Sequence, residues 1–197
     1  MTQTRIRTRL SPAARQDQLL DTTRALITES GLHAFTMEGL AQAAGVSAPL
    51  VYNYFPTRQA LLQTLLQREY QRFVEEFVTA VKDANTFEDI VRVSVATNFD
   101  HQAPGQILPL LLSQPEIAAA IRDKRNQNRG QNARFLVRAA REHYQLDSRQ
   151  AQLVISMSSG ASIAAAELAE KTGLDREETI DVTVSYIMAG VQRIATG

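Results

Sequence analysis

Apolar residues recur every three or four positions along nearly the whole chain, and no segment alternates apolar and polar residues over four to eight positions. This spacing predicts helices that each present one apolar face, whereas an exposed strand would alternate. We therefore predict an all-α protein. The longest apolar pattern comprises Leu61, Leu62, Leu65, Leu66, Tyr70, Phe73, Phe77, Val78 and Val81.

Capping residues predict where the N-terminal helices begin. Ser11 followed by Pro12 is typical of a helix start, and Gly31 is typical of a helix end. Thr36 and Ser47 are suitable N-caps for two short helices that follow. The pattern thus predicts three helices before the long fourth one.

The C-terminal part carries four further predicted helices, over about residues 86–100, 116–144, 148–171 and 177–194. Gly173 and Asp175 are typical of the end of one helix and the start of the next. The segment before residue 116 contains Pro104, Gly105, Pro109 and Pro115, and we predict it to be irregular because proline lacks a backbone N–H. On the last helix, the apolar stripe is formed by Ile180, Val184, Ile187, Met188 and Val191.

Composition narrows the possible chemistry. The chain has 197 residues, 44% of them hydrophobic, which is enough for a substantial core. It has no cysteine, which excludes disulfides, thiolate zinc sites and thiol nucleophiles. The longest apolar run, residues 107–112, is far shorter than the roughly 20 residues that cross a bilayer, so a cytoplasmic location without a membrane partner is expected.

Charge is neutral overall but uneven along the chain. Residues 1–72 contain eight Arg and five acidic residues, a net charge of +3, within a chain of net charge zero. Arg5, Arg7 and Arg9 form a basic N-terminal arm that can neutralise phosphates, although a solvated tail has the same composition.

An enzyme is not indicated. His33, His101 and His143 are far apart, and neither a paired-histidine helix motif nor a nucleophile elbow is present. We expect no catalytic residue, no metal and no cofactor.

The segment 36–54 carries the clearest motif. Two short helices are separated by the turn Ala44-Gly45-Val46-Ser47, which fits a helix-turn-helix, although ordinary helical bundles contain similar turns. Leu50, Asn53 and Tyr54 share one face of the second of these helices, the face that a DNA major groove would meet.

The motifs Thr36-Met37-Glu38-Gly39-Leu40-Ala41, Ala44-Gly45-Val46-Ser47, Val51-Tyr52-Asn53-Tyr54-Phe55-Pro56 and Ala60-Leu61-Leu62 together resemble the N-terminal domain of the TetR/AcrR family of bacterial transcriptional regulators. The resemblance covers about residues 15–66. It implies an arm and helix-turn-helix DNA-binding domain over residues 1–56 and a ligand-binding and dimerisation domain over residues 57–197. It also implies a homodimer that binds operator DNA, usually as a repressor, and is released by a small-molecule effector.

Family roles transfer to matching positions as expectations. The implied DNA-binding residues are Thr36, Ser47, Ala48, Pro49, Leu50, Tyr52, Asn53, Tyr54 and Arg58. Ala48, Pro49 and Leu50 have no side-chain hydrogen-bonding group, so they can offer only apolar contact with thymine methyls. Asn53 suits adenine or a phosphate, and Arg58 stands where the family more often has Lys.

The resemblance further implies dimerisation through the last two helices. The stripe on the last helix suits such an interface, although a buried helix pair within one chain would show the same pattern. We predict that the stripe contributes to the interface.

Predicted ligand-pocket residues are Tyr70, Phe73, Phe77, Asn98, Phe99, His101, Leu111 and Phe135, with Gln102, Asn132 and Arg138 as further polar candidates. The apolar residues of this set could equally be ordinary core residues that contact no ligand. An apolar or amphipathic effector is expected, which would act by favouring a state whose two reading helices are wrongly spaced for DNA. The alternative function is a ligand-binding or adaptor protein of the same fold that does not read DNA.

Overall fold

The computed structural model describes residues 10–102 and 106–196, excluding the side chains of residues 102 and 124–133. This part of the chain is all-α, as predicted, and contains no strand. Its helices are α1 (Pro12–Ser30), α2 (Met37–Ala43), α3 (Ala48–Tyr54), α4 (Arg58–Lys82), α5 (Phe87–Gln102), α6 (Ile107–Leu112), α7 (Pro115–Ala118), α8 (Arg122–Tyr144), α9 (Ser148–Thr172) and α10 (Arg176–Ala195).

The chain forms two compact units, Met1–Leu65 and Leu66–Gly197, and α4 contributes to both. In the first unit, α1, α2 and α3 enclose a small core with the start of α4; the fully buried side chains include Leu19, Leu40, Val51 and Leu61. The functional division predicted between residues 56 and 57 stays a prediction.

Local signals define the helix ends. Ser11 Oγ accepts from the Ala14 N–H, and Gly31 ends α1 at φ 81°, a conformation that favours glycine. In α9, Asp147 and Gln150 form a reciprocal capping box that sequence reasoning missed. Asp175 caps α10 by accepting from the Glu178 N–H at 2.9 Å.

In the second unit, α5, α9 and α10 pack against one another, and α8 packs against α9. The predicted interface stripe on α10, Ile180, Val184, Ile187, Met188 and Val191, lies in this core and is buried. Its assignment to a partner subunit was wrong, because α5 and α9 of the same chain cover this face of α10. Within the described residues, no helix is long and apolar enough to span a membrane.

Two predicted segments differ from the structure. Residues 107–112 form α6 rather than an irregular loop, because Pro109 lies in the first turn, where no backbone N–H is needed. The predicted helix over 116–144 is broken by a 3-10 turn at Ala119–Ile121. Ile117, just before this turn, and Ile121, its last residue, are both buried, so core packing stabilises the turn.

The start of α5 provides a pH-dependent prediction. Asp89 accepts hydrogen bonds from the Thr86 and Asn85 N–H groups, while Thr86 Oγ1 accepts from the Asp89 N–H. The Thr86 hydrogen bonds hold the pKa of Asp89 below its ordinary value. A lowered carboxyl pKa stabilises the fold at neutral pH, and this contribution is lost as pH falls through the folded-state pKa.

Asp89→Ala is therefore expected to lower the free energy of unfolding at pH 7, with a difference from the parent protein that shrinks between about pH 5 and pH 2. Urea unfolding over this range measures the difference. Glu88→Ala, at the exposed neighbouring position, is the matched control for loss of an acidic side chain at the start of α5. A deficit of Asp89→Ala that stays constant with pH would contradict this account of the cap.

Candidate DNA interface and ligand cavity

The turn between α2 and α3 is defined by backbone hydrogen bonds and one glycine. The Gly45 N–H donates to Gln42 O at 3.1 Å, and the Val46 N–H donates to Ala41 O at 3.0 Å. Gly45 adopts φ 65°, which a side chain would disfavour. Residues 37–54 thus form the predicted helix-turn-helix geometry, with Val51 of α3 fully buried against the rest of the unit.

The exposed surface of α3 carries most of the predicted DNA-binding residues. Ser47, Pro49, Tyr52 and Asn53 are exposed. Ala48, Leu50 and Tyr54 are half-buried. This surface combines small or apolar groups near the start of α3 with hydrogen-bonding groups near its end, a distribution suited to groove contacts at one end and backbone contacts at the other.

The hydroxyl of Tyr52 already has a partner. It donates to Glu38 Oε1, in the first turn of α2, at 3.1 Å. This hydrogen bond, together with the nearby carboxylate charge, raises the pKa of Tyr52. A phosphate contact by the same hydroxyl would therefore require it to leave Glu38.

Arg58 has contacts that sequence reasoning missed. Its Nη2 donates to Leu32 O at 2.7 Å, its Nε donates to Phe35 O at 3.3 Å, and its guanidinium lies 5.8 Å from the centre of the Phe35 ring. The side chain therefore fastens the loop between α1 and α2 to the first turn of α4. No local signal could have revealed these contacts, since the partners lie more than twenty positions away in sequence.

Thr36 caps α2 as predicted. Its Oγ1 accepts from the Gly39 N–H at 3.0 Å, which leaves the hydroxyl proton available to another acceptor. A Cβ on Gly39 would lie 3.0 Å from this oxygen, so the glycine gives the cap its space.

A cavity of about 930 Å³ lies in the second unit, between side chains of α4, α5, α6, α8, α9 and α10. Five of the predicted pocket residues line it: Tyr70, Phe73, Phe77, Asn98 and His101. Sequence reasoning missed further lining residues, which include Phe87, Ser94, Gln152, Ser156 and Ser159.

Three predicted pocket residues do not line this cavity. Leu111 is fully buried in the core. Phe135 packs against the apolar core of α5, α8, α9 and α10. Phe99 also packs there and carries the Arg176 guanidinium 5.9 Å from its ring centre. In each case the adjacent residue on the same helix lines the cavity instead, because neighbouring positions point about 100° apart; these neighbours are Leu112, Leu136 and Asn98.

Most polar groups of the cavity lie on α5 and α9. Asn98 Nδ2 donates to Ser162 Oγ at 3.1 Å, which fixes the amide between these helices. His101 packs edge-on against Phe73, with ring centres 4.1 Å apart, and its burial lowers its pKa. Arg138 is exposed and does not line the cavity. The predicted contributions of Arg5, Arg7, Arg9, Gln102 and Asn132 fall on residues or side chains outside the described part of the chain.

The solvent-facing surfaces of α9 and α10 carry several exposed apolar side chains. Met157, Val182 and Tyr186 are 64%, 63% and 69% exposed. Leu153 and Leu168 on α9 are also exposed, as are the small residues Ser185, Ala189 and Gly190 on α10. We call this surface the α9–α10 face.

Comparison with known proteins identifies the N-terminal segment. The family model described as "Bacterial regulatory proteins, tetR family" matches residues 19–65. The HTH-type transcriptional activator FasR of Mycolicibacterium smegmatis is 28% identical over 120 residues, 58% of this chain and 55% of that protein. The HTH-type transcriptional regulator LuxR of Vibrio harveyi is 32% identical over 95 residues, 47% of this chain and 45% of its own. The matches span about half the length of these relatives.

Solved structures extend the likeness in fold to nearly the whole chain. A TetR-like transcriptional regulator from Rhodococcus sp. RHA1 superposes with a TM-score of 0.64 at 21% identity, covering 93% of this chain and 98% of that one. The regulator FadR from Bacillus subtilis, solved in complex with stearoyl-CoA, gives 0.63 at 19% identity, covering 88% and 98%. The N-terminal segment thus matches the TetR family of bacterial regulatory proteins over residues 19–65, and the all-α fold is similar to that of TetR-like regulators over nearly the whole chain.

Proposed function

We propose that the protein is a homodimeric DNA-binding transcriptional regulator, a repressor that a small molecule releases from its operator. The observation that carries the proposal is the helix-turn-helix, whose second helix leaves Pro49, Tyr52 and Asn53 exposed within the segment that matches the family. The major groove of DNA is wide enough to admit one α-helix, so the exposed face of α3 can reach base edges.

In the proposed complex, α3 reads bases and its surroundings bind phosphates. Ala48, Pro49 and Leu50 contact thymine methyl groups, and Asn53 binds an adenine edge or a phosphate. Thr36, Tyr54 and Arg58 bind phosphates, and Ser47 lies beside them at the start of α3. Because the first turn of α3 offers no side-chain hydrogen bond to guanine or cytosine, this reading predicts half-sites rich in A·T pairs.

The α9–α10 face supports a dimer. Two copies of α3 must be held about one turn of DNA apart to read a two-fold symmetric operator, and a two-fold interface uses the same surface of each copy. The α9–α10 face is apolar, with small residues that allow close helix packing. We assign it to the second copy of this chain.

The cavity of the second unit supports binding of an effector. Its walls combine apolar and aromatic side chains with uncharged polar groups, a combination that small-molecule sites use. One structural neighbour, FadR from Bacillus subtilis, was solved in complex with stearoyl-CoA, an acyl thioester. We propose that the effector is an apolar or amphipathic molecule that binds better to the state with low DNA affinity.

Binding to duplex fragments from upstream of the protein's own gene tests the proposal, at two salt concentrations. Saturable binding to one fragment is expected, and it should weaken as salt rises. Asn53→Ala should lower the affinity about tenfold and Tyr54→Phe about fivefold, by removing one base or phosphate contact each. Arg149→Ala, an exposed position at the start of α9, is the control and should bind as the parent does.

Transcription from the bound promoter in a reporter strain then gives the sign of regulation, with repression expected. Activation, the role given to the transcriptional activator FasR, would contradict the repressor part alone. If the folded dimer binds no fragment specifically at low salt, the adaptor function of the same fold is favoured instead.

A further inference from the structure

The cavity of the second unit lacks charge. Of its described lining residues, none is Asp, Glu, Lys or Arg. An ionised group that left water for this cavity would find no opposite charge among these side chains. Burying an unpaired charge costs far more than burying a hydroxyl or carbonyl that is hydrogen-bonded.

The lining nevertheless contains both aromatic rings and uncharged polar groups. The aromatic rings of Tyr70, Phe73 and Phe77 belong to α4, one turn apart along the helix. Most of the hydroxyl, amide and imidazole groups, among them Asn98, His101, Gln152 and Ser156, belong to α5 and α9, while Ser113 follows α6. A molecule with a hydrocarbon body and one polar end would match both kinds of group.

His101 lines this cavity, and one of its ring nitrogens has no hydrogen-bond partner within the described part of the chain. Its Nδ1 is buried and has no hydrogen-bond partner among the described residues. Burial lowers the pKa of His101, which outweighs the opposing effect of Glu76 and Asp100, so the ring is neutral at neutral pH. A buried polar atom without a partner is destabilising, and a ligand that supplies the partner recovers this loss.

We propose that the cavity binds an uncharged amphipathic molecule, whose hydroxyl or carbonyl group forms a hydrogen bond with His101 Nδ1 and whose hydrocarbon body packs on the aromatic rings of α4. Acids and amines of the same skeleton bind weakly. The regulatory meaning of this binding rests on the proposed function, but the binding itself does not depend on DNA.

Calorimetric titration of the DNA-free protein at pH 7.5 with 1-decanol, decanoate and decylamine tests the proposal, because these probes differ mainly in the charge of the head group. Decanol is expected to bind at least about tenfold more tightly than either charged probe. Equal or tighter binding of decanoate or decylamine would overturn the proposal, and so would absence of binding by all three.

Variants at position 101 test the anchor. His101→Leu is expected to weaken decanol binding about fivefold to tenfold, the loss of one hydrogen bond, while His101→Gln restores most of the affinity. His33→Leu, at an exposed position of the first unit, is the matched control and should bind as the parent does. Thermal unfolding establishes that each variant is folded.

If folded His101→Leu binds decanol as tightly as the parent protein does, His101 does not contact the ligand. Decanol binding and DNA binding are measured separately, so the inference about the cavity and the proposed function can fail independently. Decanol binding by a protein that binds no DNA would leave this inference standing and the proposed function failed. DNA binding without decanol binding would support the proposed function and overturn the inference about the cavity.

Discussion

Met157→Glu combined with Tyr186→Glu is expected to yield a folded monomer whose operator affinity is at least about 100-fold lower than that of the parent. Both side chains are about two-thirds exposed in the single chain, so the charges remain hydrated in the monomer. In the proposed dimer, four carboxylates would be buried in an apolar interface, where each unpaired charge costs several kcal/mol. A monomer presents one copy of α3 and so loses the second half-site.

Sedimentation equilibrium measures the state of association, and circular dichroism establishes that the variant is helical. Val78→Glu combined with Leu110→Glu is the matched control, since both residues are exposed and apolar but lie on α4 and α6. The control should stay dimeric. A dimeric Met157→Glu, Tyr186→Glu variant would show that the α9–α10 face is not the interface.

The location of this face illustrates what periodicity can and cannot determine. On α10, the stripe that includes Ile180 and Val184 and the opposite surface with Val182 and Tyr186 are both apolar. The sequence pattern predicts that α10 has an apolar stripe, but it does not say which helix covers it. In the structure α5 and α9 cover the stripe with Ile180 and Val184, and the surface with Val182 and Tyr186 faces solvent.

Short-range signals were the most reliable guide in the sequence. The N-caps at Ser11, Thr36 and Asp175 and the glycine ends at Gly31 and Gly173 depend on hydrogen bonds or dihedral angles within a few residues. The order and type of the helices could therefore be predicted. The 3-10 turn before α8 could not, since it depends on how two buried isoleucines pack in the folded core.

The cavity also shows that the sequence pattern does not determine which of two neighbouring residues lines a pocket. Asn98 lines it while the adjacent Phe99 packs into the core, although both were predicted as pocket residues. Neighbouring positions on a helix point in very different directions. A small error in the predicted rotation of the helix therefore assigns a core residue to the cavity, or a cavity residue to the core. The aromatic residues of α4 were found because they repeat along one face.

Arg58→Ala is expected to lower both the stability of the N-terminal unit and its affinity for DNA. The side chain donates to two backbone carbonyls, Leu32 O and Phe35 O, and lies over the Phe35 ring. Loss of charged hydrogen bonds at a partly exposed position should reduce the free energy of unfolding by about 2 kcal/mol. If the remaining guanidinium surface also binds a phosphate, operator affinity falls more than about tenfold and the salt dependence decreases by about one phosphate contact.

Arg58→Lys separates the two roles, because lysine keeps the charge but lacks the planar fork that reaches both carbonyls. It should lose about half of the stability that Arg58→Ala loses and keep the salt dependence of the parent. Urea unfolding and DNA titrations at several salt concentrations measure these quantities, with Arg149→Ala as the control for loss of an exposed arginine. An unchanged salt dependence in Arg58→Ala would assign Arg58 to the loop between α1 and α2 alone, since a residue that binds phosphate must displace counterions.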